Sequence, residues 1–219
     1  MTSRPNKAEP RPKPRLYLVT PRLDDADAFA PALAAALGAG DVAAVLLRFK
    51  PADERTMINI AKTLGRVVQD AGAAVLLDGH AELVARAGAD GAHLSGLADF
   101  TGALEQLKPD RIAGAGRLET RHDAMTAAEQ ACDYVMFGEP DDSGARPAFD
   151  AVEDRVSWWA EVFEAPCVGY AADASEVEPL VKAGADFVAL GDWIWSDPRT
   201  VTAKIADAAR HLIVPETVA

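Results

Sequence analysis

The chain has 219 residues, 49% hydrophobic, 26% charged and 6% aromatic, with a net charge of −12. That much apolar chain buries a full core in one large domain, while so acidic a body repels a phosphate backbone, which argues against nucleic-acid binding. No apolar run is long enough to cross a bilayer, and the N-terminus lacks an apolar secretory stretch, so no membrane partner is expected.

In chain order, residues 1–14 carry four prolines and the basic Arg4, Lys7, Arg11 and Lys13 against a single acid, Glu9. They predict a disordered basic tail. A single domain is expected over 15–213. Eight short apolar runs recur in it, at 16–20, 42–47, 73–77, 91–94, 111–115, 134–137, 167–170 and 187–190. Most lack polar alternation, as strands buried on both faces of a parallel sheet do. Between and after them lie stretches rich in Ala, Leu and Glu that predict helices over 24–37, 52–70, 81–87, 100–107, 121–130, 150–163, 175–183 and 198–212. Ser175 with Glu178 three residues on predicts a capping box and Pro198 a first helical turn, while Gly38, Gly88 and Gly184 mark helix ends. The two cysteines, Cys132 and Cys167, form neither a metal-ligand pair nor a disulfide framework, which suits the cytoplasm.

An internal repeat sharpens this pattern. A small residue (or Cys132) and an aspartate introduce the second, fourth, sixth and eighth strands: Gly40-Asp41-Val42, Ala89-Asp90-Gly91, Cys132-Asp133-Tyr134 and Ala185-Asp186-Phe187. A feature shared by alternate strands is what a closed eightfold barrel allows, because alternate strands contribute to one side-chain layer. An open doubly wound sheet would favour a glycine-rich first turn, and here that turn is Thr20-Pro21-Arg22-Leu23. The predicted fold is a (β/α)8 TIM barrel.

In such barrels the reacting groups stand at the C-terminal ends of the strands. The candidates in strand order begin with Thr20, Arg48 and Lys50, Asp78 and His80, then His93 and Ser95. Gly116 and Arg117, Glu139 with Asp141 and Asp142, Gly169 and Tyr170, and finally Gly191 and Asp192 complete the rim. Arg48 and Lys50 are two apart on an extended segment, so their side chains point to one side and suit a phosphate or pyrophosphate. The plainer reading is that they are salt-bridge partners for the surplus acids. His93 is either an acid–base group or a satisfied structural histidine. Asp78, His80, His93 and Glu139 form a divalent-metal set that nothing in their spacing enforces. Trp158-Trp159, Trp193 and Trp195 are read as helix-to-barrel packing or a subunit contact, and the last two could also roof a pocket. A homodimer is one open possibility.

The core from Arg15 to Leu212 resembles the thiamine phosphate synthase family, which also holds the TenI-type thiazole tautomerases. The matching stretches are Leu16-Tyr17-Leu18-Val19-Thr20-Pro21, then Val45-Leu46-Leu47-Arg48-Phe49-Lys50, similar to V-Q-L-R-x-K. They continue with Gly88-Ala89-Asp90-Gly91-Ala92-His93-Leu94 and Asp133-Tyr134-Val135-Met136-Phe137-Gly138, and end with Ala183-Gly184-Ala185-Asp186-Phe187-Val188-Ala189. The resemblance implies a synthase that joins hydroxymethylpyrimidine pyrophosphate to thiazole phosphate with loss of pyrophosphate, using Mg2+. It implies Arg48, Lys50 and His93 as catalytic groups, with Arg48 and Lys50 on the pyrophosphate and Asp78 and Asp99 on the metal. Thr20, Gly116, Arg117, Glu139, Gly169, Tyr170, Gly191 and Asp192 would then meet the small phosphorylated substrates.

The chain also departs from the family pattern. The N-D that ends the third strand is Asp78-Gly79, and Asp99 stands one place late in the loop after the fourth. The fifth strand ends Gly114-Ala115-Gly116-Arg117-Leu118, without the family's serine and histidine. A Thr-rich, Lys-containing loop after the sixth is replaced by Glu139-Pro140-Asp141-Asp142-Ser143-Gly144-Ala145-Arg146. The G-G after the seventh is Gly169-Tyr170, and Asp192 stands near an expected serine. These changes place acids where a dianion would bind. They leave two alternatives beside the synthase: a non-catalytic barrel that binds a phosphorylated molecule or a protein partner, and a tautomerase, disfavoured because Leu118 and Glu119 stand near the position of the expected base.

Overall fold

The computed structural model describes residues 12–212. The tail expected over 1–14 therefore lies almost wholly outside the described residues, as does residue 213. Eight parallel strands form a closed barrel, each paired to the next and the last to the first. They are β1 (Arg15–Leu23), β2 (Val42–Phe49), β3 (Ala74–Asp78), β4 (Gly91–Ser95), β5 (Ile112–Gly116), β6 (Tyr134–Phe137), β7 (Cys167–Ala171) and β8 (Phe187–Leu190). The helices are α1 (Ala26–Leu37), α2 (Glu54–Asp70), α3 (Val84–Ala87), α4 (Leu97–Leu107), α5 (Arg121–Glu129), α6 (Phe149–Val162), α7 (Val177–Lys182), α8 (Asp192–Trp195) and α9 (Val201–Arg210). Among the described residues no helix is long and apolar enough to cross a membrane.

Strand alternation divides the core in two. Outward residues such as Leu16, Leu18, Val45, Leu47 and Val188 join the helices in one large cluster. Tyr17, Val19, Ala44, Leu46, Leu76, Tyr134, Met136, Val168, Tyr170 and Ala189 form a second cluster inside the ring. Size complementarity shapes this interior. A Cβ on Gly114 would overlap the Tyr134 ring, and one on Gly191 would overlap the Tyr170 hydroxyl. Small residues on β5 and just past β8 thus make room for tyrosines on β6 and β7.

The repeated aspartates now have a physical account. Asp90 accepts from the backbone N–H of Val75 at 2.7 Å, Asp133 from Ala113 at 2.6 Å and Asp186 from Cys167 at 2.8 Å. Each aspartate before an even strand thereby holds the start of the preceding odd strand. Asp41 makes the corresponding link through the Arg15 side chain at 2.9 Å. These clamps close the N-terminal face, the face that supports stability in barrels of this kind.

Several local expectations are corrected. β1 does not stop at Thr20. Its pairing to β2 shifts register between Val19 and Arg22 and resumes with Arg22 opposite Arg48. Pro21 falls in this irregularity, where its missing N–H disturbs no ladder. The Ser175–Glu178 capping box does not form. Asp173 instead accepts from the Ser175 N–H and caps a 3-10 turn over Ala174–Glu176, while Glu178 pairs with Lys182. A capping box is present at Thr120 and Asp123, before α5. Pro198 lies in the turn before α9 and not in its first turn, and α8 is an added turn of helix between β8 and α9. Trp193 donates to the Ala171 carbonyl at 3.1 Å and Trp195 to the Val19 carbonyl at 2.8 Å, so both tie α8 to the barrel.

Candidate functional site

The barrel mouth is built from inward positions at the strand ends. Arg48, the last inward residue of β2, is fixed at three points. Its backbone N–H donates to the Thr20 hydroxyl at 3.1 Å, its Nε donates to the Thr20 carbonyl, and its Nη2 pairs with Asp192. Thr20 is wholly buried and acts as the anchor of Arg48. The guanidinium then borders a small cavity of about 30 Å³ with Asp78, His93, Ser95, Arg117, Glu139 and Tyr170.

Below this cavity a chain of polar groups crosses the barrel. The Tyr17 and Tyr134 hydroxyls lie 2.9 Å apart, and Tyr134 Oη lies 3.0 Å from His93 Nδ1. On the other side of the ring, His93 Nε2 faces Glu139 Oε1 at 3.8 Å. Glu139 also accepts from the backbone N–H of Arg117. With Glu139 an acceptor, the hydroxyl chain is satisfied if Tyr17 donates to Tyr134 and Tyr134 donates to His93 Nδ1, which turns the His93 Nε2–H toward the carboxylate. Burial pushes both tyrosine hydroxyls well above their ordinary range, so they stay protonated. Burial, then the Asp192 charge, moves Tyr170 the same way. Gly116 is required here by space, since a Cβ would meet Glu139 and His93.

The rim above is rich in ion pairs. Arg22 and Arg117 both reach Asp142 Oδ1, at 2.8 and 3.3 Å. Lys50 pairs with Asp24 at 2.7 Å. Asp141 closes its own loop by accepting from Ser143 and Ala145, contacts that hold its carboxyl below the usual range. Arg146 pairs with Glu176 at 2.9 Å, but its Nε and Nη2 are buried without a partner among the described residues, as is Arg117 Nε. Two larger cavities flank the centre. One of about 430 Å³ is lined by Arg22, Asp78, Ser95, Asp99, Arg117 and Asp142. The other, about 380 Å³, lies against α6 and includes Arg117, Glu139, Arg146 and Arg155.

The ring closure, the arginine at the end of β2 and the histidine in β4 can now be set beside known proteins. The family model described as thiamine monophosphate synthase matches residues 16–194. The chain is 40% identical over 200 residues to the thiamine-phosphate synthase of Rhodospirillum centenum, covering 90% of this chain and 96% of that one. The chain belongs to the thiamine monophosphate synthase family. A second relative, the thiamine-phosphate synthase of Hyphomonas neptunium, is 38% identical over 198 residues, with 86% and 89% covered. Among solved structures, thiamine phosphate pyrophosphorylase from Pyrococcus furiosus shares the fold with a TM-score of 0.76 at 22% identity, covering 91% of this chain and 96% of that one.

For a thiamine monophosphate synthase family member, the mouth brings together most of the residues singled out in the sequence. Arg48, His93, Arg117, Glu139, Tyr170 and Asp78 share one cavity, Asp78 and Asp99 share another, and Gly116, Gly191 and Asp192 touch members of the first. Three residues lie apart. Lys50 is half-exposed beside Asp24, because β2 ends at Phe49 and the side chain beyond it is free to turn away. Gly169 faces Leu180 of α7, because strand alternation turns Val168 and Tyr170 inward and Gly169 outward. His80 pairs with Glu82 at 3.1 Å, outside the central cavity. Among the described residues no group of three or more His, Cys, Asp and Glu is gathered to hold a metal. Sequence reasoning missed Tyr17, Tyr134, Arg22 and Arg146. The two tyrosines gave one usable signal: polar hydroxyls at inward positions of strands that are otherwise apolar.

Proposed function

We propose that this chain joins hydroxymethylpyrimidine pyrophosphate to thiazole phosphate with release of pyrophosphate. The observation that carries the reading is the three-point fixation of Arg48 over the His93–Glu139 cavity, in a chain whose 40% and 38% identical relatives are named thiamine-phosphate synthases. Neither the non-catalytic barrel nor the tautomerase is favoured by those relatives. The reaction breaks the C–O bond to pyrophosphate, which leaves with the electron pair, and forms a C–N bond from the thiazole nitrogen. Positive charge builds on the pyrimidine and ends on the thiazolium, with no net proton transfer.

The chain's residues divide these tasks. Arg48, pre-set by Thr20, meets charge developing on the leaving pyrophosphate, and Lys50 joins it by leaving Asp24. The Glu139 carboxylate, largely buried beside His93, opposes the positive charge on the pyrimidine. His93, held by Tyr134, presents Nε2–H at the same cavity. Gly116, Tyr170 and Gly191 shape the walls, with Arg117 and Asp192 at the substrate edge. Two carboxylates on one open cavity are a donor set that Mg2+ accepts when substrate phosphates complete its shell, so Asp78 and Asp99 are the residues that would hold it. Bound there, the ion supplies positive charge to the pyrophosphate oxygens. The cytoplasm is the compartment we favour; neither cysteine is in a disulfide and both are buried, with burial pushing the Cys132 thiol up to about 11.

The test is pyrophosphate release measured with both substrates and Mg2+. Turnover that needs all three components is expected. A protein that binds neither substrate, while another phosphorylated metabolite raises its melting temperature, would overturn the reading.

A further inference from the structure

Arg22 stands near the end of β1 and Arg117 just past β5, strands on opposite sides of the eight-membered ring. Both guanidinium groups nevertheless reach a single oxygen, Asp142 Oδ1. Asp142 is carried by the loop between β6 and α6, which the Asp141 turn holds compact. One carboxylate therefore bridges the mouth, and all three residues line the cavity of about 430 Å³ that Asp78 and Asp99 also border.

The bridge is well placed but weak. Asp142 brings one negative charge, and its side chain is 76% exposed. Ion pairs so exposed are readily exchanged. A phosphate monoester dianion brings more charge and three acceptor oxygens to the same two forks. Arg117 has a donor in reserve, since its buried Nε has no partner among the described residues. Its backbone is held at φ +47, a conformation that side chains rarely adopt, by the N–H bond to Glu139. The rim beyond β7 and β8 is differently arranged: the Tyr170 hydroxyl closes on Gly191, and Asp192 pairs with Arg48.

We propose that Arg22 and Arg117 form a subsite for a phosphate monoester dianion, and that Asp142 occupies it in the free protein until the ligand's phosphate displaces it. Assignment of that phosphate to the thiazole substrate rests on the synthase reading; the subsite itself does not. The β6–α6 loop then carries the subsite's own competitor, which the incoming charge displaces.

The experiment titrates the full chain with inorganic phosphate by calorimetry at low ionic strength. Asp142→Asn removes the competitor and is expected to tighten phosphate binding roughly three- to tenfold. Arg22→Ala should abolish that gain in the double variant, and Arg117→Lys should reduce it. Asp70→Asn, an exposed acid at the end of α2, controls for overall charge and should change nothing. Thermal melts check that each variant folds, and Arg22→Ala alters a half-exposed side chain. The proposal fails if Asp142→Asn matches Asp70→Asn, or if its gain persists without Arg22. With both substrates, Asp142→Asn should lower KM for the thiazole phosphate and leave that for the pyrimidine pyrophosphate unchanged. A protein without synthase turnover that still shows the phosphate pattern sinks the synthase reading and not the subsite.

Discussion

Arg48 shows how one side chain is made ready before a ligand arrives. Thr20 holds its N–H and its Nε, so only the outer guanidinium nitrogens are left for an anion, and Asp192 marks where that anion goes. Arg48→Ala should therefore lower kcat/KM by about 10²- to 10³-fold while the melting temperature stays near that of the parent. Arg48→Lys should recover little, since a point charge cannot reproduce a fork fixed at Nε. Tyr134 makes the opposite case. Its hydroxyl serves both Tyr17 and His93 in a buried interior, so Tyr134→Phe leaves two polar groups short of a partner. The expected cost is about 1–3 kcal/mol in chemical denaturation. An unchanged midpoint would mean that water takes the hydroxyl's place. Arg48 and His93 were legible in the sequence because each is a lone polar residue at the end of an apolar run. The role of Tyr134 was not, because it depends on a partner 117 residues away, across the barrel.

The strands were the most legible elements, since burial on both faces leaves short runs without polar alternation. β6 and β8 fall where the apolar runs predict them, at Tyr134–Phe137 and Phe187–Leu190. β1 was read too short, because a proline and two polar residues signal a strand's end unless pairing resumes beyond a bulge. That resumption is a fact of register, and it is what sets Arg22 beside Arg48. The aspartate repeat pointed correctly to a closed barrel, but its function lay in backbone groups that no residue letter displays. Asp133 is the sharpest test. It accepts from the buried Ala113 N–H and pairs with Lys108 at 2.6 Å. Asp133→Ala should cost about 2 kcal/mol and lower the melting temperature by about 4–8 °C. Lys108→Ala, which removes only the partly exposed charge partner, should cost far less.

The whole molecule carries a net charge of −12, yet Arg22, Arg48, Lys50, Arg117 and Arg146 gather at one face, so attraction for anionic substrates is local to the mouth. The same enclosed interior fixes the alkaline limit of the fold. The chain has three tyrosines, and all three are buried with hydroxyls pushed above their ordinary range, foremost by burial. Once unfolded, they ionise near the usual value of 10.0. Between that pH and the higher folded-state values, the native chain holds protons that the unfolded chain has released. Stability contributed by the neutral tyrosines is thus complete below about pH 10 and declines as pH rises, by about 1.4 kcal/mol per pH unit for each tyrosine engaged. The Cys132 thiol, raised from 9.0 to about 11, adds a decline of its own that begins near pH 9 and ends near pH 11. Phenolate absorbance should therefore stay low in the native protein at the pH where a denatured sample is half ionised. It should then rise in one cooperative step that coincides with loss of far-ultraviolet circular dichroism. Tyr17→Phe would leave that step sharp but smaller in amplitude. A gradual titration of native protein near the ordinary value would mean that water reaches the barrel interior, and that the Tyr17–Tyr134–His93 chain is not sealed beneath the mouth.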